Sequence, residues 1–256
     1  MKRMLNYLLL AAALVLFPVL VQAHEFILKP DQLSLKGQKE VPFSVISAHV
    51  FMVSEEMEPA EHVSVALHSG NGATSVAVVP NESAMTLEGR APVKGDGASI
   101  LAGHREGMIW TQTTKGWKQA SRKGLDGVIK SGKYEKFCKS VITGATSKGF
   151  DKVVGQRLEI VPLDDPASLK TGDEMRVKVL FDGKPVSSGA LTATYDGFSQ
   201  VPNTWAYLTE TYEKDVARIK IDAPGVWMVR AQQTIDEPTE DYDTHVIRSV
   251  LVFEVK

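Results

Sequence analysis

The sequence predicts an all-β protein of sandwich-like layers, and three observations carry that expectation. Short segments rich in Val, Ile, Phe and Thr alternate apolar and polar residues along most of the chain. Turn signals such as Pro80-Asn81, Asp182-Gly183 and Pro224-Gly225 separate them. Only one stretch spaces its apolar residues as a helix does. The expected architecture is two β-sandwich domains with one short helix, preceded by a cleaved signal peptide over 1–23. The domains are expected over 24–152 and 153–256, within a chain of 256 residues.

The first segment carries export chemistry. Met1-Lys2-Arg3 is a positive start, Leu8 to Val21 is an uncharged apolar run, and Val21-Gln22-Ala23 fits a small-x-small cleavage site. The run is shorter than the roughly 20 residues that span a bilayer. Cleavage after Ala23 and a soluble, exported protein are therefore expected, with no transmembrane segment in the mature chain.

After the signal the elements follow in order. Glu40 to His49 alternates, with Val41, Phe43 and Val45 on one face. His62 to His68 alternates again, with Val63, Val65 and Leu67 together. Thr74 to Val79 is a further strand. Ser99 to Thr113 holds two short strand candidates around Glu106-Gly107. Asp126 to Val141 is the helix candidate, because Val128, Ile129, Tyr134, Phe137 and Val141 recur at near-helical spacing. Gly144 to Gly149 is a turn-rich link. In the second block, Arg157 to Pro162, Met175 to Phe181, Pro185 to Thr194, Ala217 to Ile221, Val226 to Gln233 and His245 to Val255 are expected strands. Asp182-Gly183 closes a hairpin, because both positions tolerate φ > 0.

Composition narrows the function classes. Hydrophobic residues make up 43% and charged residues 23%, values that exclude wholesale disorder and a multi-span membrane protein. Lys and Arg number 29 against 31 Asp and Glu, which argues against nucleic acid as the main partner. A single cysteine, Cys138, cannot form an internal disulfide. It reads as a structural thiol, since nothing near it in sequence resembles a His partner. The chain has no G-x-S-x-G elbow, no P-loop and no H-E-x-x-H. No enzyme activity is expected.

The candidate chemistry lies in the histidines. If Ala23 is the last residue removed, His24 becomes the N-terminus and offers an amine and an imidazole to one cation. His49 ends a strand before a loop carrying Glu55, Glu56, Glu58 and Glu61. His104, beside a turn, is the candidate third ligand, with a loop carboxylate as the alternative. His62 and His68 are about 20 Å apart along a strand and read as surface residues. His245 reads as a strand-edge histidine. Trp110, Trp117, Trp205 and Trp227 read as sandwich anchors.

His24-Glu25-Phe26, Ser47-Ala48-His49-Val50-Phe51, the run Leu158 to Pro166, Gly172-Asp173, Val179 to Pro185 and Pro224-Gly225-Val226-Trp227 together resemble one bacterial periplasmic family. That family is a domain of unknown function with Ig-like domains, associated with nickel and cobalt uptake transporters. The resemblance implies metal binding at His24 and His49, and a membrane metal-uptake transporter as partner. The leading expectation is a periplasmic binding protein for nickel or cobalt, with copper as the further candidate ion. Two rivals stand beside it. One is a copper histidine-brace oxidative enzyme, which uses the same His pair. The other is a metal-free Ig-like adhesion or assembly module.

Overall fold

Consecutive buried residues dictate the architecture. Near the end of the chain Val250, Leu251, Val252 and Phe253 are all 1% exposed or less. Side chains on a strand alternate between faces, so this strand must be covered on both sides. The structure is a computed structural model describing residues 24–35, 37–70 and 72–256. The signal segment expected over 1–23 lies outside the described residues.

The first part of the chain forms β1 (Glu25–Pro30), β2 (Glu40–Ala48), β3 (Val63–Ser69), β4 (Gly72–Val76), β5 (Val78–Asn81), β6 (Thr86–Pro92), β7 (Ser99–Thr113), β8 (Gly116–Lys118) and β9 (Val128–Ile142). The second part forms β10 (Leu158–Pro162), β11 (Glu174–Phe181), β12 (Lys184–Pro185), β13 (Ala190–Tyr195), β14 (Tyr207–Glu210), β15 (Val216–Lys220), β16 (Gly225–Asp236) and β17 (Thr244–Val255). One four-stranded sheet runs β1-β2-β6-β5. A nine-stranded sheet runs β14-β13-β16-β17-β9-β7-β3-β4, with β8 on β7. A second four-stranded sheet runs β10-β11-β12, with β15 on β11.

The nine-stranded sheet is the middle layer. Leu101, Cys138, Val250 and Val252 pack with Phe26, Phe43 and Leu87 in one core. Their strand neighbours Ile100, Phe137, Leu251 and Phe253 pack with Ile160, Val177 and Ile219 in the other. Each small sheet therefore covers one face. The all-β, sandwich-like class is what the sequence predicts. The segments 24–152 and 153–256, however, share their middle sheet. β17 pairs in parallel with β9, from Thr244↔Gly132 to Val252↔Ser140. Residue 153 thus marks a change of layer, not a break in the sheet.

The expected helix over 126–141 is a strand, and this corrects the sequence reading. β9 runs 15 residues from Val128 to Ile142. Both of its faces are buried over the second half, so its apolar residues lose the period of two and fall by coincidence at helical spacing. Two of the lysines in this segment, Lys136 and Lys139, are buried too. Lys136 Nζ lies 2.8 Å from Glu58 and Lys139 Nζ 2.7 Å from Glu159. Three short 3-10 turns are the only helical geometry among the described residues.

Ser99 to Thr113 is likewise one strand where two were expected. The register slips between Arg105 and Met108, so Glu106-Gly107 forms a bulge within β7, not a turn. Asp182-Gly183 does form the hairpin turn, with φ of 48° and 74°, and pairs Phe181 with Lys184.

The boundary between the two halves is held by a buried ion pair. Lys139 and Glu159 side chains are each 1% exposed. Lys139 also donates to the Lys152 carbonyl, while Glu159 accepts the backbone N–H groups of Val154, Gly155 and Gln156. Removing one partner strands the other charge in the core. Glu159→Gln is expected to lower the unfolding free energy by about 3 kcal/mol or more, read from urea unfolding with an unchanged slope.

Candidate metal centre

Antiparallel register brings the two leading histidines together. β1 pairs with β2 with Glu25 opposite Ala48. One step further along the ladder sets His24 beside His49. Their ring centroids are 3.8 Å apart. The chain then turns back on itself: the Glu55 N–H donates to the Ser47 carbonyl, and Ser47 bridges to Glu56. This return delivers the Glu55 carboxylate to the His pair.

Glu55 is held from several sides. Its Oε1 accepts the backbone N–H groups of His49 and Val50, at 2.9 and 3.1 Å. Its Oε2 lies 2.8 Å from His49 Nδ1 and 3.4 Å from His24 Nε2. His24 Nδ1 meets Glu56 Oε1 at 2.9 Å. One ligand atom each from His24, His49 and Glu55 fall within 4.8 Å of one another. That spacing suits one small cation. The donor set, two imidazoles and a carboxylate, is of the borderline kind that divalent transition ions accept.

The carboxylates here are held ionised. Burial pushes Glu55 up, but the hydrogen bonds from the His49 ring and from the His49 and Val50 backbones outweigh it. Its pKa falls from 4.5 to about 2. The His24 hydrogen bond lowers Glu56 against the opposing effect of burial. Burial likewise raises Glu58, and the charges of Lys136 and Arg105 more than reverse that. A metal ligand must be deprotonated, so Glu55 is available at any ordinary pH.

His104 lies elsewhere. On β7, Leu101 and Gly103 face the core that contains β1, where a Cβ at Gly103 would sit 3.0 Å from Leu28 and Phe26. Position 104 has the opposite parity. His104 stacks on Phe137 at 4.6 Å and bonds Glu135 at 2.7 Å, on the other face of the middle sheet. The third group brought to His24 and His49 is therefore the loop carboxylate Glu55, not His104. His245 is no edge residue: it is 3% exposed on a central strand, with Nε2 3.0 Å from Glu135. Burial, the largest influence, pushes its pKa down. His62 remains at the surface, 3.2 Å from Glu106. Cys138 is fully buried and accepts the Leu28 N–H, and burial pushes its thiol up to about 12. Such a thiol is inert at neutral pH.

A cleft of about 480 Å³ opens beside His24 and His49. Trp110, Trp117 and Tyr134 line it, as do Arg105, Lys130, Lys136 and Arg248. Sequence reasoning missed this wall. The sequence pattern points to Trp110 and Trp117 as core anchors, yet of the four tryptophans only Trp227 is fully buried. The helical spacing over 126–141 hides Lys136, which lies on β9. Reading 128–142 as a strand would have set Lys136 and Tyr134 on one face by parity. Nothing in the sequence signals that Arg105 and Arg248 join them.

A family model described as "Domain of unknown function (DUF4198)" matches residues 21–235. The chain belongs to that family. No curated protein matches it. Among solved structures, the D0-D1 domain of intimin is similar over 91% of this chain and 99% of its own, at 12% identity and a TM-score of 0.23, a likeness too loose to define a common fold. No helix among the described residues is long and apolar enough to cross a membrane.

The acid response follows from Glu55. Its pKa in the fold is below its unfolded value, so the folded state binds that proton less readily. The stability it contributes is complete above about pH 4.5 and is lost as pH falls through about 2. Glu55→Gln is expected to flatten the acid side of the stability curve in this window, measured as the denaturant midpoint against pH.

Proposed function

We propose that this protein binds a divalent transition metal in the periplasm, nickel or cobalt with copper as the further candidate, and supports its uptake or buffering. The observation that carries this reading is the meeting of His24, His49 and Glu55 with ligand atoms within 4.8 Å. Residues 25 positions apart in sequence are placed together by strand register, and the carboxylate between them is held ionised. Cleavage after Ala23, expected from the sequence, adds the His24 α-amine to the same donor set. Three nitrogens and one oxygen suit Ni(II) and Cu(II), which accept tetragonal geometry. A membrane transporter is the partner this role calls for. The rival copper-oxygenase reading shares the His pair but asks for a flat aromatic substrate face, and Trp110 and Trp117 line a concave cleft instead.

The test is thermal unfolding of mature protein beginning at His24, with Ni(II), Co(II), Cu(II) and Zn(II) each in turn. A metal at about 100 times its dissociation constant is expected to raise Tm by roughly 5 to 10 °C. One extra Ala before His24 is expected to reduce that rise, His49→Ala to abolish it, and His104→Ala to leave it intact. No rise with any metal overturns the proposal.

A further inference from the structure

We infer that the cleft beside the histidine pair receives the organic part of a metal complex: a small anionic chelator bearing carboxylates and a planar face. This rests on the metal-binding reading of His24 and His49 and names the form in which the ion is bound.

Size is the first argument. A cation and its aqua ligands need little room, since each water occupies roughly 30 Å³. The cleft measures about 480 Å³ and begins at the metal centre, with His24, His49 and Glu56 in its wall. Its volume falls in the range typical of small-molecule sites, about 300 to 1,000 Å³.

Charge is the second. Arg105, Lys130, Lys136 and Arg248 line the cleft against Glu56 and Glu58, and Glu25, shared between Arg248 and Arg230, adds one further carboxylate. Arg105 and Lys136 both lean on Glu58, at 3.5 and 2.8 Å. Their side chains are 3% and 6% exposed, so solvent does little to screen the excess. Burial holds both pKa values down, against the pull of Glu58. A bound anion supplies the missing charge.

Unused donors are the third. Trp117 Nε1 is buried and makes no hydrogen bond, and Arg105 Nε has only the long 3.5 Å approach to Glu58 Oε2. Arg105 is 2% exposed, and its Nη1 is already committed to the Glu106 and Tyr134 carbonyls. Buried donors without acceptors are costly, and native proteins keep few of them. Carboxylate oxygens are the acceptors such donors favour. Trp110, Trp117 and Tyr134 add flat apolar surface to the same wall. Lys130 Nζ sits 5.4 Å over the Trp117 ring, which places a cation and a π-face side by side. A neutral sugar leaves the charge excess unanswered, and a lone inorganic anion leaves the aromatic wall empty.

The experiment is equilibrium dialysis of the full mature chain against Ni(II) alone, and against citrate, nitrilotriacetate or pyridine-2,6-dicarboxylate, each with and without equimolar Ni(II). Retained metal and chelator are both quantified by mass spectrometry. Co-retention of chelator and nickel in equal amounts is expected, strongest for the planar pyridine dicarboxylate. Lys130→Glu with Trp110→Ala, both away from the metal ligands, is expected to weaken retention of the complex about tenfold or more while leaving Ni(II) alone unchanged. Nickel retained without any of the three chelators, or stripped from the protein by them, overturns this inference and leaves the metal reading standing. Chelators retained equally without nickel overturn the metal-bridged form. Failure to retain nickel in any form overturns both readings.

Discussion

The parallel pairing of β9 with β17 is the constraint on which the rest of this structure depends. It joins strands from the two halves of the chain into one middle sheet. Parallel neighbours cannot be linked by a tight turn, and here the whole of the second small sheet lies in the crossover. Once the pairing forms, β7, β9 and β17 are central, and each must be covered on both faces. The two small sheets meet that demand from opposite sides. The cluster of His24, His49 and Glu55 inherits its position from this layering. β1 lies against the middle sheet, and Glu25 at its start reaches Arg248 on β17 at 3.3 Å and Arg230 on β16 at 2.7 Å. The first described strand is thus locked to the last, beside His24.

Buried charge recurs throughout this arrangement. Glu159 holds Lys139, Glu58 holds Lys136 and Arg105, and Glu25 holds Arg230 and Arg248. Such pairs add little net stability, because desolvation offsets most of the Coulomb gain. What they fix is position. Sliding β9 by one residue would turn Lys136 and Lys139 to the wrong faces and leave their carboxylates unpaired. The register of the middle sheet is therefore specified by charge as well as by apolar packing. The same groups leave a positive wall at the cleft, so the elements that set the register also set the character of the pocket.

Local patterns were legible in the sequence where one face of a strand stays open. The alternation of β2 and β3 and the Asp182-Gly183 hairpin follow from period-two patterning and turn chemistry alone. Legibility failed where both faces are covered. β9 shows no alternation because Phe137 and Val141 enter one core while Cys138 and Ile142 enter the other. The bulge at Glu106-Gly107 failed for a related reason: a Gly after a charged residue marks a turn or a bulge equally well, and only the partner strand decides.

By itself the sequence determined the all-β class, the order of most strands, and the candidacy of His24 and His49. These rest on local properties: side-chain alternation, turn residues, and the donor chemistry of histidine. Only the tertiary structure decided that the two halves share a sheet, that Glu55 and not His104 stands with the His pair, and that Arg105, Lys136 and Arg248 meet aromatic rings in one cleft. Each of these depends on which face of which strand a residue occupies, and on which strand lies next to it. Parity is set by register, and register between distant strands is set by long-range packing and buried charge, which no local window of sequence contains.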